Sequence, residues 1–190
     1  HNLDEIRRKD IRPGDTVLVE KGGDVIPKVA AVLKDKRPAG SKPWRFPRKC
    51  PVCRTALVRD EEEVAFRCVN VACPAQLEGR IEHFAARGAM DIEGLGPALV
   101  SQLVAKGLVH DVGDLFFLRF EDVVPLERMG GISTRNLLDG IEGAKGRPLH
   151  RVLFALGIRH VGAHVARVLA EESGSMDEAE SATEERLTAI

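Results

Sequence analysis

The four cysteines constrain the fold of this chain more than any other feature, because all of them lie within one short segment. They form Cys50-Pro-Val-Cys53 and, after fourteen intervening residues, Cys68-Val-Asn-Val-Ala-Cys73. A Cys-x-x-Cys turn places two thiolates on one side of a tight loop, and a second pair returned by a hairpin completes a tetrahedral zinc site. Four sulfur ligands leave no position for water, so the pattern predicts a structural Zn²⁺ and no catalytic metal.

Two disulfides, or a redox-active Cys50/Cys53 pair, are the alternatives for these cysteines. No segment resembles a secretory signal, and no apolar run is long enough to span a membrane. We therefore expect a cytoplasmic protein without a membrane partner, in a reducing compartment where clustered thiols more often hold metal. A redox pair would also need a βαβ context, which this segment lacks.

The net charge of −1 hides a gradient along the chain. Residues 1–49 carry 13 Lys and Arg against 7 Asp and Glu, a net of +6, whereas residues 171–190 carry 1 against 7, a net of −6. Residues 74–170 balance at 11 against 11. A basic N-terminal segment followed by a neutral central region is typical of a protein that contacts polyanions at a few specific sites. A solvated charged face is the alternative.

The chain contains one Trp, no Tyr and seven Phe. Most of the Phe residues, including Phe117, sit in helix-like apolar patterns that predict core positions, and few aromatics remain for stacking on single-stranded bases. The composition therefore favours a duplex over a single strand if nucleic acid is the partner.

Local patterns predict a β segment followed by helices. Two strands are expected at 16–20 and 25–33, with a turn at 22–24, and residues 35–49 read as a basic linker. From Pro74 onward the periodicity is helical. The predicted helices cover 74–88, 97–106, 112–118, 133–144, 149–156 and 163–172, followed by an acidic tail with one or two short helices.

Three glycine-bearing turns between helical segments recur at a spacing of roughly thirty-odd residues. They are Ile92-Glu-Gly94-Leu-Gly96, Leu126-Glu-Arg-Met-Gly130-Gly131 and Leu156-Gly157-Ile-Arg-His-Val-Gly162. Each predicts a helix-hairpin-helix, in which glycines let a phosphate approach the backbone and the second helix offers free N–H groups. Such contacts anchor a duplex without reading its sequence. Arg128 stands where the second turn could have its first glycine, which makes that phosphate contact less secure.

Several sequence motifs, in the order in which they occur, resemble those of the NAD⁺-dependent DNA ligases of bacteria along essentially the whole chain. Residues 8–17 and 23–27 resemble the OB-fold of that family, and residues 50–76 resemble its zinc finger and the exit from it. Residues 89–96, 126–130 and 154–162 resemble its helix-hairpin-helix repeats. The resemblance implies an α+β multidomain fragment from the C-terminal part of such an enzyme: part of an OB-fold (1–43), a small four-cysteine zinc finger (44–77) and a mostly α-helical domain with about three of four hairpins (78–190).

The resemblance also implies how this segment works. The complete enzyme takes AMP from NAD⁺, passes it to the 5′-phosphate of a nick and joins the strands, in DNA replication and repair. The family's acceptor lysine lies in a Lys-x-Asp-Gly motif, but the only Asp-Gly here, at Asp139, has Leu137 two positions before it. No catalytic residue is therefore expected, and NAD⁺ and Mg²⁺ would act only through other domains.

The expected partners are nicked duplex DNA and the adenylation domain of the parent chain. The resemblance places Lys21, Val25 and Ile26 against the minor groove, with at most one of the two apolar side chains touching DNA. The glycine turns supply the other predicted DNA-contacting residues, which are Gly94, Gly96, Gly130, Gly157 and Gly162. A free-standing zinc-stabilised duplex-binding adaptor, or a protein-interaction module that uses the acidic tail, are the other hypotheses.

Overall fold

The computed structural model describes residues 2–22, 26–60 and 63–188, which divide into two compact units at Asn70/Val71. The first unit contains helix α1 (Leu3–Arg8) and two antiparallel pairs of strands. Strand β1 (Val17–Gly22) pairs with β2 (Ile26–Val32), and the short β3 (Leu57–Val58) pairs with β4 (Arg67–Cys68). The register of the longer pair is irregular between Leu18 and Val19. Val25, one of the predicted DNA-contacting residues, lies outside the described residues.

Helix α1 was not predicted, because the whole N-terminal segment was expected to be β. Its signals are nevertheless present in the sequence. The side chain of Asn2 accepts a hydrogen bond from the backbone N–H of Glu5, and acidic residues fill the first turn while Arg7 and Arg8 fill the last. These are the usual start and end signals of a helix, and they outweigh the neighbouring strand pattern.

An ionic cluster ties the turn after α1 to the segment after β2. The guanidinium of Arg37 lies 2.7 Å from a carboxylate oxygen of Asp10 and 2.8 Å from one of Asp15. Arg12 contacts the other oxygen of Asp10 at 3.0 Å. Residues 34–36, at the start of the predicted linker, form a short 3-10 turn. The basic linker is therefore anchored at its first turn by an arginine that two carboxylates hold.

The second unit is helical. Its longer helices are α2 (Pro74–Ala85), α3 (Pro97–Ala105), α5 (Gly131–Ala144), α6 (Leu149–Ala155) and α7 (Ala163–Ser173). The short ones are α4 (Phe120–Val123), α8 (Met176–Ser181) and α9 (Glu184–Thr188). The core consists of apolar side chains that recur at helical spacing, and its fully buried members include Ile81, Val100, Leu103, Leu115 and Leu137. None of the helices described here is long and apolar enough to cross a membrane.

Three details of this unit differ from the predictions. The segment 112–118 forms a 3-10 helix at Gly113–Phe117, because the Asp111 carboxylate accepts hydrogen bonds from the N–H groups of Gly113 and Asp114 and tightens the turn. Phe117 is 79% exposed, not buried as its apolar pattern suggested. Helix α4 was not predicted, because a helix of four residues is too short to show hydrophobic periodicity. At its start, the Arg119 N–H donates a hydrogen bond to the Asp122 carboxylate.

Candidate zinc centre and DNA-contacting hairpins

The four cysteine sulfurs lie within 4.8 Å of one another, and none of the four cysteines is joined in a disulfide bond. Zn–S bonds of about 2.3 Å would place the sulfurs of a tetrahedral site roughly 3.8 Å apart. Cys53 Sγ and Cys68 Sγ are 3.5 Å apart, far longer than a disulfide bond of about 2.05 Å. The arrangement therefore fits four thiolate ligands around one Zn²⁺.

Local backbone geometry sets the cysteine positions. The Cys50 N–H donates to the Thr55 carbonyl at 2.8 Å, and the Arg54 N–H donates to the Cys50 carbonyl at 3.0 Å, which closes the tight loop. Arg54 has a φ of +64°, a left-handed conformation that a non-glycine residue adopts only when neighbours enforce it. Cys68 ends strand β4, and Cys73 is the N-cap of α2.

The electrostatics of the cluster favour a bound cation. Hydrogen bonds with Thr55 lower the pKa of Cys53 to about 5. A backbone hydrogen bond from Asn70 favours the Cys68 thiolate, but burial and the sulfurs of Cys53 and Cys50 outweigh it and raise the pKa of Cys68 to about 12. Neighbouring thiols cannot all ionise without a countercharge, and a divalent cation supplies it.

The three predicted hairpins share one backbone geometry. In each hairpin, the N-cap of the next helix is a glycine, and the residue two positions before that glycine has a positive φ. The positive-φ residues are Gly94 (φ +87°), Arg128 (+62°) and His160 (+67°). The glycines Gly96, Gly130 and Gly162 are the N-caps of α3, α5 and α7, at intervals of 34 and 32 residues.

Neither backbone conformation nor packing within the described chain requires glycine at the three N-cap positions. All three adopt extended backbone angles that any residue tolerates, and a Cβ added to Gly96, Gly130 or Gly162 would meet no atom within 4 Å. A Ser, Asp or Asn at an N-cap would also stabilise its helix with a side-chain hydrogen bond, which glycine cannot make. The open space over each backbone is thus available to a molecule outside the chain.

Gly157 differs from the other predicted glycines. The equivalent of Gly94 in the third hairpin is His160, whereas Gly157 follows α6 with a φ of +63°. A Cβ at Gly157 would lie 3.4 Å from the His83 ring, whose Nε2 hydrogen-bonds the Phe154 carbonyl at 2.8 Å. Contacts within the helical unit and backbone conformation therefore account for this glycine.

The second hairpin departs from the other two at its N-cap. The Gly130 N–H donates to Ser133 Oγ at 2.9 Å, so this amide already has a partner. No side chain caps α3 or α7. Arg128, at the left-handed position, lines a cavity of about 460 Å³ that Gly94 and Gly96 of the first hairpin also line.

Basic residues that the sequence analysis missed surround the start of α7. A cavity of about 300 Å³ beside Ala163 is lined by Arg87, His150, Arg151 and Arg167, with no carboxylate among its described lining residues. Arg151 is held by the backbone carbonyls of Ala89 and Arg87. Arg167 lies four residues after Ala163, one helical turn along the same face, and this spacing was the signal available in the sequence.

Lys21 and Ile26, the predicted minor-groove residues that the structure describes, lie on the paired strands β1 and β2. Lys21 is exposed and pairs with Pro27 across the strands. Ile26 begins β2 opposite Gly22, and its side chain is 70% exposed. An isoleucine left this exposed is not part of the core of the described unit.

Comparison with known proteins agrees with this arrangement. The family model of the NAD-dependent DNA ligase OB-fold domain matches residues 1–41, and that of the NAD-dependent DNA ligase C4 zinc finger domain matches residues 49–75. A helix-hairpin-helix motif model matches residues 151–190, which include the third hairpin. The protein is also similar over its whole length to the DNA ligases of Pelotomaculum thermopropionicum, Halothermothrix orenii and Lysinibacillus sphaericus. The identities are 56%, 53% and 50%, respectively.

The chain belongs to the NAD-dependent DNA ligase family. It spans 28% of the length of each of these three relatives. Membership of the ligase family confirms the resemblance and the α+β fold class drawn from the sequence, with OB-fold, zinc-finger and helix-hairpin-helix parts in that order. The domain boundaries at 43/44 and 77/78 stay predictions.

Proposed function

We propose that this chain is a duplex-DNA clamp of an NAD⁺-dependent DNA ligase that seals nicks during replication and repair in the bacterial cytoplasm. The observation that carries the proposal is the threefold repeat of a helix start capped by a glycine with open space over its backbone. Helix N-termini with free N–H groups bind phosphates, and a missing Cβ lets the phosphate approach closely. Backbone contacts of this kind hold a duplex of any sequence.

In the helical unit, the proposed DNA contacts lie at the three hairpins. Gly94 and Gly96 serve one phosphate through backbone N–H groups. At the second hairpin Gly130 has an occupied N–H, so the Arg128 guanidinium carries more of the attraction there. At the third, Gly162 and Gly157 belong to the predicted set, and Arg87 and Arg167 add positive charge beside the start of α7.

The β1–β2 hairpin is proposed to lie against the minor groove. Lys21 supplies a phosphate contact, although as a point charge it lacks the two-pronged geometry of an arginine. Ile26 supplies an exposed apolar side chain that can press on a distorted base step. Val25 is retained as a predicted contact.

We further propose that Cys50, Cys53, Cys68 and Cys73 hold one structural Zn²⁺. The metal would contribute a cross-link between the first loop, the end of β4 and the start of α2, and no chemical step. NAD⁺, Mg²⁺ and the adenylated lysine are assigned to other parts of the parent enzyme, including an adenylation domain that would be a partner of this segment. The isolated chain is therefore expected to join no nicks.

The deciding experiment is equilibrium binding of the zinc-loaded chain to nicked, intact and single-stranded DNA of one sequence across a salt series. A ligase clamp should bind nicked DNA best, and log Kd should rise linearly with log salt at a slope that counts the phosphate contacts. Equal affinity for nicked and intact duplex would favour the free-standing adaptor. No binding to any of the three at low salt would overturn the proposal for this segment.

A further inference from the structure

A cationic and aromatic cavity lies in the first unit, and none of its described lining residues has a role assigned above. Its volume is about 680 Å³, a size suited to small ligands. The lining residues described are Leu3, Arg7, Trp44, Arg45, Phe46, Arg48 and Phe66. The cavity is therefore lined by three arginines and three aromatic residues, with no acidic residue among the described lining residues.

The aromatic side chains form a row that leaves Trp44 accessible. Phe46 packs between the other two, with ring centroids 5.5 Å from Trp44 and 4.4 Å from Phe66. The guanidinium of Arg59 lies over Phe66, 5.6 Å from its centroid. Trp44 remains 43% exposed, although burying a tryptophan would be favourable. The exposed indole thus offers a flat apolar surface within a positively charged cavity.

The two carboxylates that precede Arg7 form their ion pairs with other cations. The pKa of Asp4 is lowered first by the hydrogen bond from Arg59 and also by the charge of Arg7. Asp4 pairs with Arg59, and Glu5 pairs with Arg8 and Lys9. Within the described part of the chain, no ion pair is found for the guanidinium groups of Arg7, Arg45 or Arg48. Three like charges around one concavity repel one another unless an anion joins them. The cavity is therefore suited to a ligand with a negative charge.

A nucleotide supplies both features that the cavity selects. Its phosphate accepts paired hydrogen bonds from a guanidinium, and its base stacks on an aromatic ring regardless of base identity. We propose that this cavity binds an unpaired nucleotide of single-stranded DNA, with the base on Trp44 and the phosphate among Arg7, Arg45 and Arg48. The cavity would capture a strand end or flap and is independent of the hairpins that are proposed to hold the duplex.

The chain provides its own probe, because Trp44 is its only tryptophan and it has no tyrosine. Intrinsic fluorescence of the zinc-loaded chain therefore reports on this cavity even if DNA also binds elsewhere. We expect saturable quenching by a four-nucleotide thymidine oligomer. An abasic oligomer with the same phosphates should bind roughly tenfold more weakly, because it lacks the stacking contribution. AMP serves as the free-nucleotide arm and should also bind more weakly than the oligomer.

The matched variants are Arg45→Ala and Lys42→Ala, which remove one positive charge from the same segment, inside and outside the cavity lining respectively. Arg45→Ala should weaken oligomer binding several-fold, and Lys42→Ala should change it less than twofold. Trp44→Phe, followed with a labelled oligomer, should weaken binding while the helical content stays constant.

Three outcomes would overturn the proposal. Absence of quenching by the oligomer at low salt would show that the cavity does not bind a nucleotide, and a protein partner would then be the alternative ligand of this surface. Equal affinities for the abasic and thymidine oligomers would reduce the site to a general anion site. AMP binding as tight as the oligomer would assign the cavity to a free nucleotide. Loss of duplex binding without loss of quenching would instead count against the hairpin clamp alone.

Discussion

The side-chain amide of Gln102, on α3, forms two hydrogen bonds with the backbone of Glu127. Its Oε1 accepts from the Glu127 N–H at 2.7 Å, and its Nε2 donates to the Glu127 carbonyl at 3.4 Å. Glu127 lies immediately before Arg128 in the second hairpin, and α3 begins at the first. One amide therefore links the first two hairpins, and residues of both hairpins line a common cavity.

Replacing Gln102 should reduce both stability and duplex affinity. Gln102→Ala removes the two exposed hydrogen bonds to Glu127 and a third to the Ala98 carbonyl, which we expect to lower the free energy of unfolding by about 1 kcal/mol. The first two hairpins would then lose this link, and duplex affinity should fall several-fold. Urea denaturation and duplex titration measure the two effects. Gln76→Ala, at an exposed position of α2, is the control, and an equal loss of affinity in that variant would contradict the prediction.

Adding a side chain at the N-cap glycines should weaken DNA binding without unfolding the chain. Gly96→Ser and Gly162→Ser place a Cβ in open space and add a capping oxygen, so melting temperatures should hold or rise. The added atoms obstruct the proposed phosphate site, and each variant should lose about 1 kcal/mol of duplex affinity, roughly fivefold.

The control for these glycine variants is Gly143→Ala in α5, where a Cβ also meets nothing within 4 Å. It should stabilise the helix by about 0.5–1 kcal/mol and leave DNA binding unchanged. Full duplex affinity in Gly96→Ser and Gly162→Ser together would show that phosphates do not approach these helix starts.

Removing the metal should unfold the finger, because the binding energy of a structural zinc is folding energy. Cys68→Ala, or chelation of the wild-type chain, should release zinc and lower the melting temperature followed by circular dichroism. Val69→Ala changes the adjacent exposed side chain and should keep one zinc per chain. A melting curve that chelation leaves unchanged would sink this prediction.

Thr134 is fully buried in α5, and its hydroxyl has no hydrogen-bond partner in the part of the chain that the structure describes. A buried hydroxyl without a partner keeps the cost of losing water. Thr134→Val has nearly the same shape and should raise the free energy of unfolding by about 1 kcal/mol in urea denaturation. Thr134→Ser keeps the hydroxyl and loses a methyl group, so it should destabilise. If Thr134→Val instead lowered the free energy of unfolding, the Thr134 hydroxyl would have a hydrogen-bond partner and the prediction would be wrong.

The cluster around Arg37 should make the first unit sensitive to acid. Hydrogen bonds from Arg37 and then Arg12 lower the pKa of Asp10 to about 2, and Arg37 also lowers the pKa of Asp15. A carboxylate with a depressed folded-state pKa stabilises the fold above its unfolded value of about 3.9, and this contribution disappears as the pH falls through the folded pKa. The loss should therefore occur between about pH 4 and pH 2.

The measurement is an NMR titration of the Asp side-chain carboxyl carbons. Asp10 should titrate near its lowered value in the wild type and move toward about 3.9 in Arg37→Gln. Lys36→Gln removes a neighbouring charge outside the cluster and should leave Asp10 unchanged. An Asp10 midpoint that Arg37→Gln does not move would contradict the assigned cause.

Local sequence determined the features whose signals lie within a few residues of one another. The two cysteine pairs predicted a cluster that the structure brings together, and the glycine turns predicted helix starts at Gly96 and Gly162 to within a residue. Hydrophobic periodicity predicted the longer helices, because one apolar face at a spacing of 3.6 residues leaves few alternatives. Helix α1 was also readable from its caps, although the strand pattern beside it was preferred.

Only the tertiary structure decided which residues meet across long separations. The Gln102–Glu127 contact, the row from Trp44 to Phe66 and the basic cavity around Arg87 and Arg167 join segments that carry no mutual signal in one sequence. The equivalence of His160 with Gly94 was likewise invisible, since a histidine reveals its left-handed φ only when packing and neighbouring hydrogen bonds impose it. Local chemistry fixes where a helix starts, whereas packing decides what that start faces.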